Sequence, residues 1–338
     1  MKKYDLILYV GRFQPFHNAH VEIVRRASKL TDNVVIIVGS AKQPRTYKNP
    51  FTSEERKQLI LAATVNANVN VYVEENIDTI YNNQAWAMRV QNIVAKYRDY
   101  GNRIAIMGHK KDDSSEYLNF FPQWGFQDVE LIEPLNATDV RDLYFKRDAN
   151  MKFIQGVVPA STFEFLNQFR DTEAYEQIIR EREHIAQYKK QYASLPYAPV
   201  FVTTDVVVLQ SAHVLMIKRK QMPGKGLWAL PGGFLNAETD RSVRDAAIRE
   251  LKEETGIKVP VPVLIGNIKE SRVFDAIGRS ARGRTITHCF VIQLPDGELP
   301  KVRGMDDAEK AKWIPVAEVR SEECFEDHAE LIAWAIGV

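Results

Sequence analysis

Cysteine is nearly missing from this chain: Cys289 and Cys324 are the only two in 338 residues. Two cysteines exclude a disulfide framework. An excess of charge of one sign is missing too, with 45 basic residues against 44 acidic ones. The balance gives no global electrostatic case for a nucleic-acid partner. There is no long internal repeat and no low-complexity tract. The apolar run near the start, Leu6 to Val10, is short and follows Asp5, so it reads as neither a secretory signal nor a membrane span. The default expectation is a soluble, cytoplasmic protein with no membrane partner. Its oligomeric state stays open. The length allows two domains.

What is present is concentrated first in residues 10–20. The run Leu6-Ile7-Leu8-Tyr9-Val10 reads as a buried strand. It stops at Gly11, and His17 and His20 then open a helical pattern. That layout aims two imidazoles and a helix N-terminus beyond a strand's carboxyl end, where free N–H groups attract phosphate. A His-x-x-His pair alone is more readily a polar cap without a ligand. The flanking glycine, arginine and strand favour the ligand.

The stretch Gly11-Arg12-Phe13-Gln14-Pro15-Phe16-His17-Asn18-Ala19-His20 resembles the signature of the nucleotidyltransferase superfamily that shares its fold with class I aminoacyl-tRNA synthetases. More narrowly, it resembles the archaeal type of nicotinamide mononucleotide adenylyltransferase. Ala19 replaces the glycine usual in that signature, a change of one methyl group. The resemblance implies ATP binding by Gly11, Arg12, Phe13, His17 and His20.

Strand and helix signals alternate through the first half. Val34–Val38 is an all-β-branched run, Val69–Val73 and Arg103–Met107 read as further strands, and Asn83–Tyr97 reads as a helix. Thr52 and Glu55 form a capping box for a helix reaching about Val65. The alternation predicts an open parallel sheet covered by helices, with ligands beyond its carboxyl edge. Three segments are expected to converge there. Lys48-Asn49-Pro50-Phe51-Thr52 resembles an archaeal-type segment whose basic residue contacts ATP phosphates; otherwise it is a solvated loop. Asp78 and Trp86 match the mononucleotide pocket of that family, where an indole stacks on a pyridinium; otherwise Trp86 is core. Thr138 suits a helix N-cap, and Arg141 in its first turn is unfavourable without an anion nearby. The resemblance assigns Thr138 and Arg141 to the triphosphate, with Ala137 where glycine is common. The bland alternative pairs Arg141 with Asp139 or Asp142.

Residues 171–191 read as a polar helix, broken by Leu195-Pro196-Tyr197-Ala198-Pro199. The expected domains are therefore 1–185 and 201–338, with 186–200 as linker. In the second half, Val202–Leu209 and Val214–Lys218 look like hairpin strands. Glu250, Glu253 and Glu254 have i, i+3, i+4 spacing and share one helix face. Three like charges repel unless a cation neutralises them, and hard divalent ions prefer carboxylates. A solvated acidic face is the common alternative. Gly256 suits a left-handed helix end.

Pro231-Gly232-Gly233, Arg249-Glu250 and the glutamates together resemble the Nudix box, with Trp228, Trp313 and the 279–284 loop fitting its ADP-ribose pyrophosphatase branch. The span from Gly233 to Arg249 is about two residues longer than usual, and Glu238 is a candidate for the box's first glutamate. The resemblance implies Mg2+ or Mn2+ held by Gly232, Glu250, Glu253 and Glu254, and a diphosphate held by Arg282 or Arg284.

The expected class is α/β: an N-terminal Rossmann-like nucleotidyltransferase domain with a parallel sheet, and a C-terminal α+β Nudix domain. The implied reactions are ATP plus nicotinamide mononucleotide giving NAD and diphosphate, and ADP-ribose plus water giving AMP and ribose 5-phosphate. Catalysis would rest on His17, His20 and Arg141 in the first half and on the glutamates in the second. The alternatives are a different acceptor (phosphopantetheine or a cytidylyl acceptor), a Nudix half that only senses ADP-ribose, and a Nudix hydrolase for another nucleoside diphosphate derivative.

Overall fold

The computed structural model describes residues 1–109, 119–129 and 136–338. It divides into two compact units, Met1–Ile179 and Arg180–Val338.

The first unit carries a five-stranded sheet: β1 (Leu6–Gly11), β2 (Asn33–Val38), β3 (Asn70–Glu75), β4 (Ile104–Gly108) and β5 (Gly125–Asp128). Their order is β3-β2-β1-β4-β5, and every pairing is parallel. The helices are α1 (Asn18–Ala27), α2 (Ser53–Thr64), α3 (Asn83–Ala95), α4 (Ala137–Tyr144), α5 (Met151–Val157) and α6 (Ala160–Phe169). Apolar layers cover both faces of the sheet, one containing Ile7, Val34 and Ile36, the other Leu6, Leu8, Val35 and Ile37 with α3. That two-sided burial is why β1 and β2 are continuous apolar runs rather than alternating ones. β5 gave no such signal because its residues are mostly exposed.

The expected capping box of α2 is present: the Glu55 N–H donates to Thr52 Oγ1 at 3.2 Å, and the Thr52 N–H donates to Glu55 Oε2 at 2.8 Å. One cap is corrected. Asn136, not Thr138, caps α4, because its carbonyl oxygen accepts from the N–H groups of Thr138 (2.8 Å) and Asp139 (3.2 Å).

The division between units falls inside α7 (Glu173–Lys190), ahead of the proline-rich segment. Residues 186–200 are not all free spacer. Tyr188 and Tyr192 meet the Phe201 ring at 5.9 and 5.2 Å, and Glu181 accepts from the Gly224 N–H at 3.4 Å. These contacts draw the end of α7 into the second unit.

The second unit is built on a mixed sheet with β6 (Val200–Gln210), β7 (His213–Arg219), β10 (Ile268–Phe274), β11 (Arg284–Gln293) and β12 (Ala308–Pro315) in the order β10-β11-β6-β7-β12. Only β11 and β6 run parallel along that path. The short strands β8 (Trp228–Ala229) and β9 (Gly232–Phe234) pair with β7 and β6. The expected hairpin joins β6 to β7 through Ser211 and Ala212, both with positive φ, as a two-residue turn requires. The helices are α8 (Val243–Thr255), α9 (Val261–Gly266) and α10 (His328–Ile336). Ser242 caps α8 by accepting from the Asp245 N–H, and Gly256 ends it at φ +57°.

Candidate active sites

In the first unit, the loops after β1, β2 and β3 meet the start of α4 at the carboxyl edge of the sheet. Two buried side chains tie the first two of these loops together. Gln14 donates to Phe51 O (2.9 Å) and accepts from Phe51 N–H (3.0 Å), fixing the β1 loop to the segment before α2. Arg56 is 1% exposed and donates to the carbonyls of Arg12 (2.6 Å), Gly39 (2.7 Å), Ser40 (3.1 Å) and Thr52 (3.2 Å). Hydrogen bonds from a charged donor contribute about 1.5–3 kcal/mol each, enough to hold the loops after β1 and β2 in one geometry. Burial lowers the Arg56 pKa to about 10, so it stays cationic at neutral pH. Nothing in the sequence marked it.

His17 and His20 come together with ring centroids 3.7 Å apart. The His17 backbone N–H donates to Nδ1 of His20 at 3.1 Å. Phe13 meets His20 edge-on at 5.0 Å and Phe16 stacks on it at 5.2 Å. Burial lowers the His17 pKa to about 4, and burial plus the neighbouring His17 holds His20 well below its ordinary value. Both rings are therefore neutral near pH 7. With Nδ1 of His20 accepting, its proton sits on Nε2, leaving that nitrogen as a donor.

Arg141 is buried and donates to Gln14 O (2.7 Å), Ala137 O (3.1 Å) and Thr138 Oγ1 (3.0 Å). It is a buried arginine rather than a surface one; burial and then the charge of Arg12 lower its pKa to about 10, while Tyr47 and Asp142 oppose them. Lys48 has its pKa lowered by burial, and the charges of Arg12 and Arg141 lower it further while Asp78 opposes them. The fold thus brings Arg12, Lys48, Arg141 and Asp78 into one electrostatic neighbourhood. Asp78 accepts from the backbone N–H (3.1 Å) and hydroxyl of Ser40. Trp86 is half-buried on α3, 6.3 Å from the Phe120 ring and 6.1 Å from that of Phe121.

In the second unit, a cavity of about 410 Å3 is lined by Gly232, Glu250, Glu253 and Glu254, with Arg219 and Arg282. Glu254 is 5% exposed, and its Oε2 accepts from the Gly232 N–H at 2.9 Å. Burial pushes its pKa up to about 8, against that hydrogen bond, and burial raises Glu250 as well. Arg249 supplies a counter-charge to the outer pair, donating to Glu250 (2.8 Å) and Glu253 (2.9 Å). Its other face donates to both oxygens of Asp240, at 2.9 and 2.8 Å.

This corrects the reading of Glu238, which is exposed; Asp240 holds Arg249 instead. The lengthened loop folds as an Asx turn in which Asn236 accepts from Glu238 N–H and Thr239 N–H, while its own N–H donates to Asp240. Arg282 lines the cavity and lies over the Phe234 ring at 5.0 Å. Arg284 does not line it; at the start of β11 it faces Asp275 at 3.9 Å. The sequence missed Arg219, whose guanidinium lies 4.0 Å from the Phe325 ring centroid, and the buried Arg279–Asp327 pair at 2.8 Å.

Among the described residues, no three His, Cys, Asp or Glu side chains stand gathered for a metal ion. The donor set nonetheless fits a hard divalent cation. It is all oxygen, and the buried Glu254 carries an elevated pKa, as expected of a carboxylate short of positive charge. Among the described residues, no helix is long and apolar enough to cross a membrane.

Fold and sites together define a nucleotidyltransferase unit followed by a Nudix unit. The cytidylyltransferase-like family model matches residues 8–155, and the NUDIX domain model matches 200–335. A nicotinamide/nicotinic acid mononucleotide adenylyltransferase of Acinetobacter baylyi is 37% identical over 182 residues, 53% of this chain and 93% of that one. An ADP-ribose pyrophosphatase of Methanocaldococcus jannaschii is 38% identical over 113 residues, 33% of this chain and 60% of that one. The crystal structure of a bifunctional NMN adenylyltransferase/ADP ribose pyrophosphatase from Francisella tularensis is 34% identical, covers 99% of both chains and superposes with a TM-score of 0.90. A second crystal structure of that bifunctional protein, complexed with AMP and a Mn ion, gives 0.91. The chain belongs to the family of bifunctional NMN adenylyltransferase/ADP-ribose pyrophosphatases.

Proposed function

We propose that the first unit transfers the adenylyl group of ATP to nicotinamide mononucleotide, and that the second hydrolyses ADP-ribose. The observation that carries the first assignment is the gathering of Arg12, Lys48 and Arg141, with the β1 loop that bears Arg12 leading on to the two neutral, paired imidazoles. A phosphate oxygen of the mononucleotide attacks the α-phosphorus of ATP, the bond to the bridging oxygen breaks, and diphosphate leaves with NAD formed. No protein nucleophile is required, so catalysis rests on positioning and charge. In this assignment Arg12, Lys48 and Arg141 hold the triphosphate, with Thr138 orienting Arg141 and the Gly11–Phe13 backbone lining the approach. His17 faces the outer phosphates. Nε2–H of His20 donates to the α-phosphate as charge builds there. Asp78 and Trp86 form the mononucleotide pocket.

In the second unit, Glu250, Glu253, Glu254 and the Gly232 backbone would hold a divalent cation, with Mg2+ the proposed ion and Mn2+ an alternative. When bound, such an ion neutralises the diphosphate and acidifies water. Arg282 holds the diphosphate. Arg249, anchored by Asp240, keeps Glu250 and Glu253 in place. Water adds across one phosphoanhydride bond, giving AMP and ribose 5-phosphate. The presence of all three glutamates in an open cavity favours hydrolysis over mere sensing of ADP-ribose.

Incubation of the full chain with Mg2+, ATP and nicotinamide mononucleotide, and separately with ADP-ribose, tests both halves by chromatography. NAD in the first reaction and AMP in the second are expected. Absence of either product refutes the corresponding half.

A further inference from the structure

Thr204 lies on β6 where that strand passes the cavity of the second unit, and it is one of the lining residues. It is fully buried, and its hydroxyl oxygen has no hydrogen-bond partner. The next residue shows the contrast, since Asp205 accepts from the Thr287 hydroxyl at 2.6 Å. A hydroxyl carries one donor and two acceptor sites, and buried ones are nearly always paired. An orphan on the wall of a cavity therefore calls for a partner.

Sheet geometry shows what it faces. Thr204 alternates with Val206 and Val208, which pack into one layer with Ala247 and Leu251 of α8. It therefore lies on the face covered by the helix of the glutamates. β6 pairs antiparallel with β9, and Thr204 stands directly opposite Gly233. Directly opposed residues place their Cβ positions about 4.5–5.5 Å apart on one face. Gly233 has no Cβ, and Glu250 takes the space: a Cβ there would stand 2.5 and 2.8 Å from the two carboxyl oxygens. The Thr204 side chain and the Glu250 carboxyl are thus neighbours across a missing side chain. Arg249 donates to Oε1 of Glu250 at 2.8 Å, which leaves Oε2 for another donor.

We propose that Thr204 is a positioning residue of the Nudix site: its hydroxyl donates to the Glu250 carboxylate and fixes it in place when a divalent cation binds. The inference rests on the assignment of the glutamates to such a cation. Without the cation, Glu250 leans on Arg249, which it shares with Glu253. Once one carboxylate oxygen is given to a cation, the other needs a donor that stops the group from turning. Ligating carboxylates are held by outer hydrogen bonds of this kind, and removing one costs about 10–100-fold in metal affinity. A hydroxyl suits the task because it adds no charge to compete with the cation. Its β-branched side chain is stiff, and burial on β6 holds it still. Gly233 permits the approach, since a side chain there would fill the gap.

The test titrates Mn2+ by calorimetry into the full-length wild type, T204V, T204S and E250Q, without nucleotide. T204V keeps the shape of the side chain and removes the hydroxyl; T204S keeps the hydroxyl. T204V is expected to bind Mn2+ about tenfold more weakly than the wild type, and T204S to bind about as the wild type does. Thermal melts give a second readout. Without Mn2+, T204V melts no lower than the wild type, because the hydroxyl it loses was unpaired. At one fixed Mn2+ concentration the wild type gains more in Tm than T204V. Equal Mn2+ affinity in the wild type and T204V overturns the proposal. So does equal weakening in T204V and T204S, which assigns the loss to packing. Should T204V unfold, Thr204→Ala is measured the same way. E250Q separates the two layers of the argument. If it binds Mn2+ as the wild type does, the assignment of the glutamates fails and takes this proposal with it. If E250Q is weakened while T204V is not, only the role of Thr204 fails.

Discussion

The two sites handle the same chemical object, a nucleotide polyphosphate, with opposite inventories of charge. The transferase unit brings its own cations, Arg12, Lys48 and Arg141, together with imidazoles kept neutral by burial. The Nudix unit brings carboxylates, one of them buried with its pKa pushed up to about 8, and a single arginine threaded between the outer two. The first site complements phosphate directly. The second complements a cation with its glutamates and leaves direct contact with phosphate to arginines such as Arg282 on the cavity wall. In the transferase unit the backbone does the positioning, through carbonyls gripped by Arg56 and Arg141. In the Nudix unit side chain holds side chain, from Asp240 to Arg249 to the glutamates.

The contrast can be broken by substitutions that strike one unit and spare the other. The largest effect is expected for Glu253→Gln: loss of ADP-ribose hydrolysis by on the order of a thousandfold, with dinucleotide synthesis unchanged. Survival of both activities would reduce the glutamate cluster to a solvated face. His20→Ala should lower transferase kcat by about a hundredfold to a thousandfold while KM for ATP moves little. Equal losses in both constants would make His20 a binding residue rather than a donor to the transition state.

Asp240→Asn should cost hydrolysis about tenfold, because Arg249 loses one charged anchor but keeps its glutamates. Glu238→Gln should do nothing, and steady-state rates of the pair distinguish the two acids. The smallest effect is on stability. Folding depresses the His17 pKa to about 4 from an ordinary 6.5, so the unfolded chain binds more protons between those values. The contribution is complete above pH 6.5 and is lost as pH falls toward 4, about 3 kcal/mol in all. Thermal melts of the first unit should show this decline, and His17→Gln should flatten it.

Much of the fold was legible because it rests on local patterns. A β-branched run buried on both faces, a Thr-Ser-Glu-Glu capping box and a glycine after the glutamate helix each carry their meaning within a few residues. β5 was not legible, since its exposed residues have no periodicity to read. The cap of α4 was misread because Asn136 and Thr138 are both competent caps, and the chain's entry into the helix decided between them. The longer Nudix loop hid its own solution, as Asp240 reaches Arg249 only after Asn236 has turned the chain.

The sequence by itself placed the two clusters, and their resemblance to known signatures supplied the chemistries. Paired histidines after a strand and a spaced glutamate trio on one helix face are properties of spacing along the chain, which helix and strand geometry convert directly into position. Only the tertiary structure decided which charges are buried and what answers them. Arg56 becomes the clasp of two loops, Arg141 is buried against Gln14, Arg284 is left outside the cavity, and Asn76 keeps an amide without a partner. Those outcomes depend on groups far apart in sequence meeting in a space from which water is excluded, where an unpaired polar atom costs free energy and pairing becomes specific.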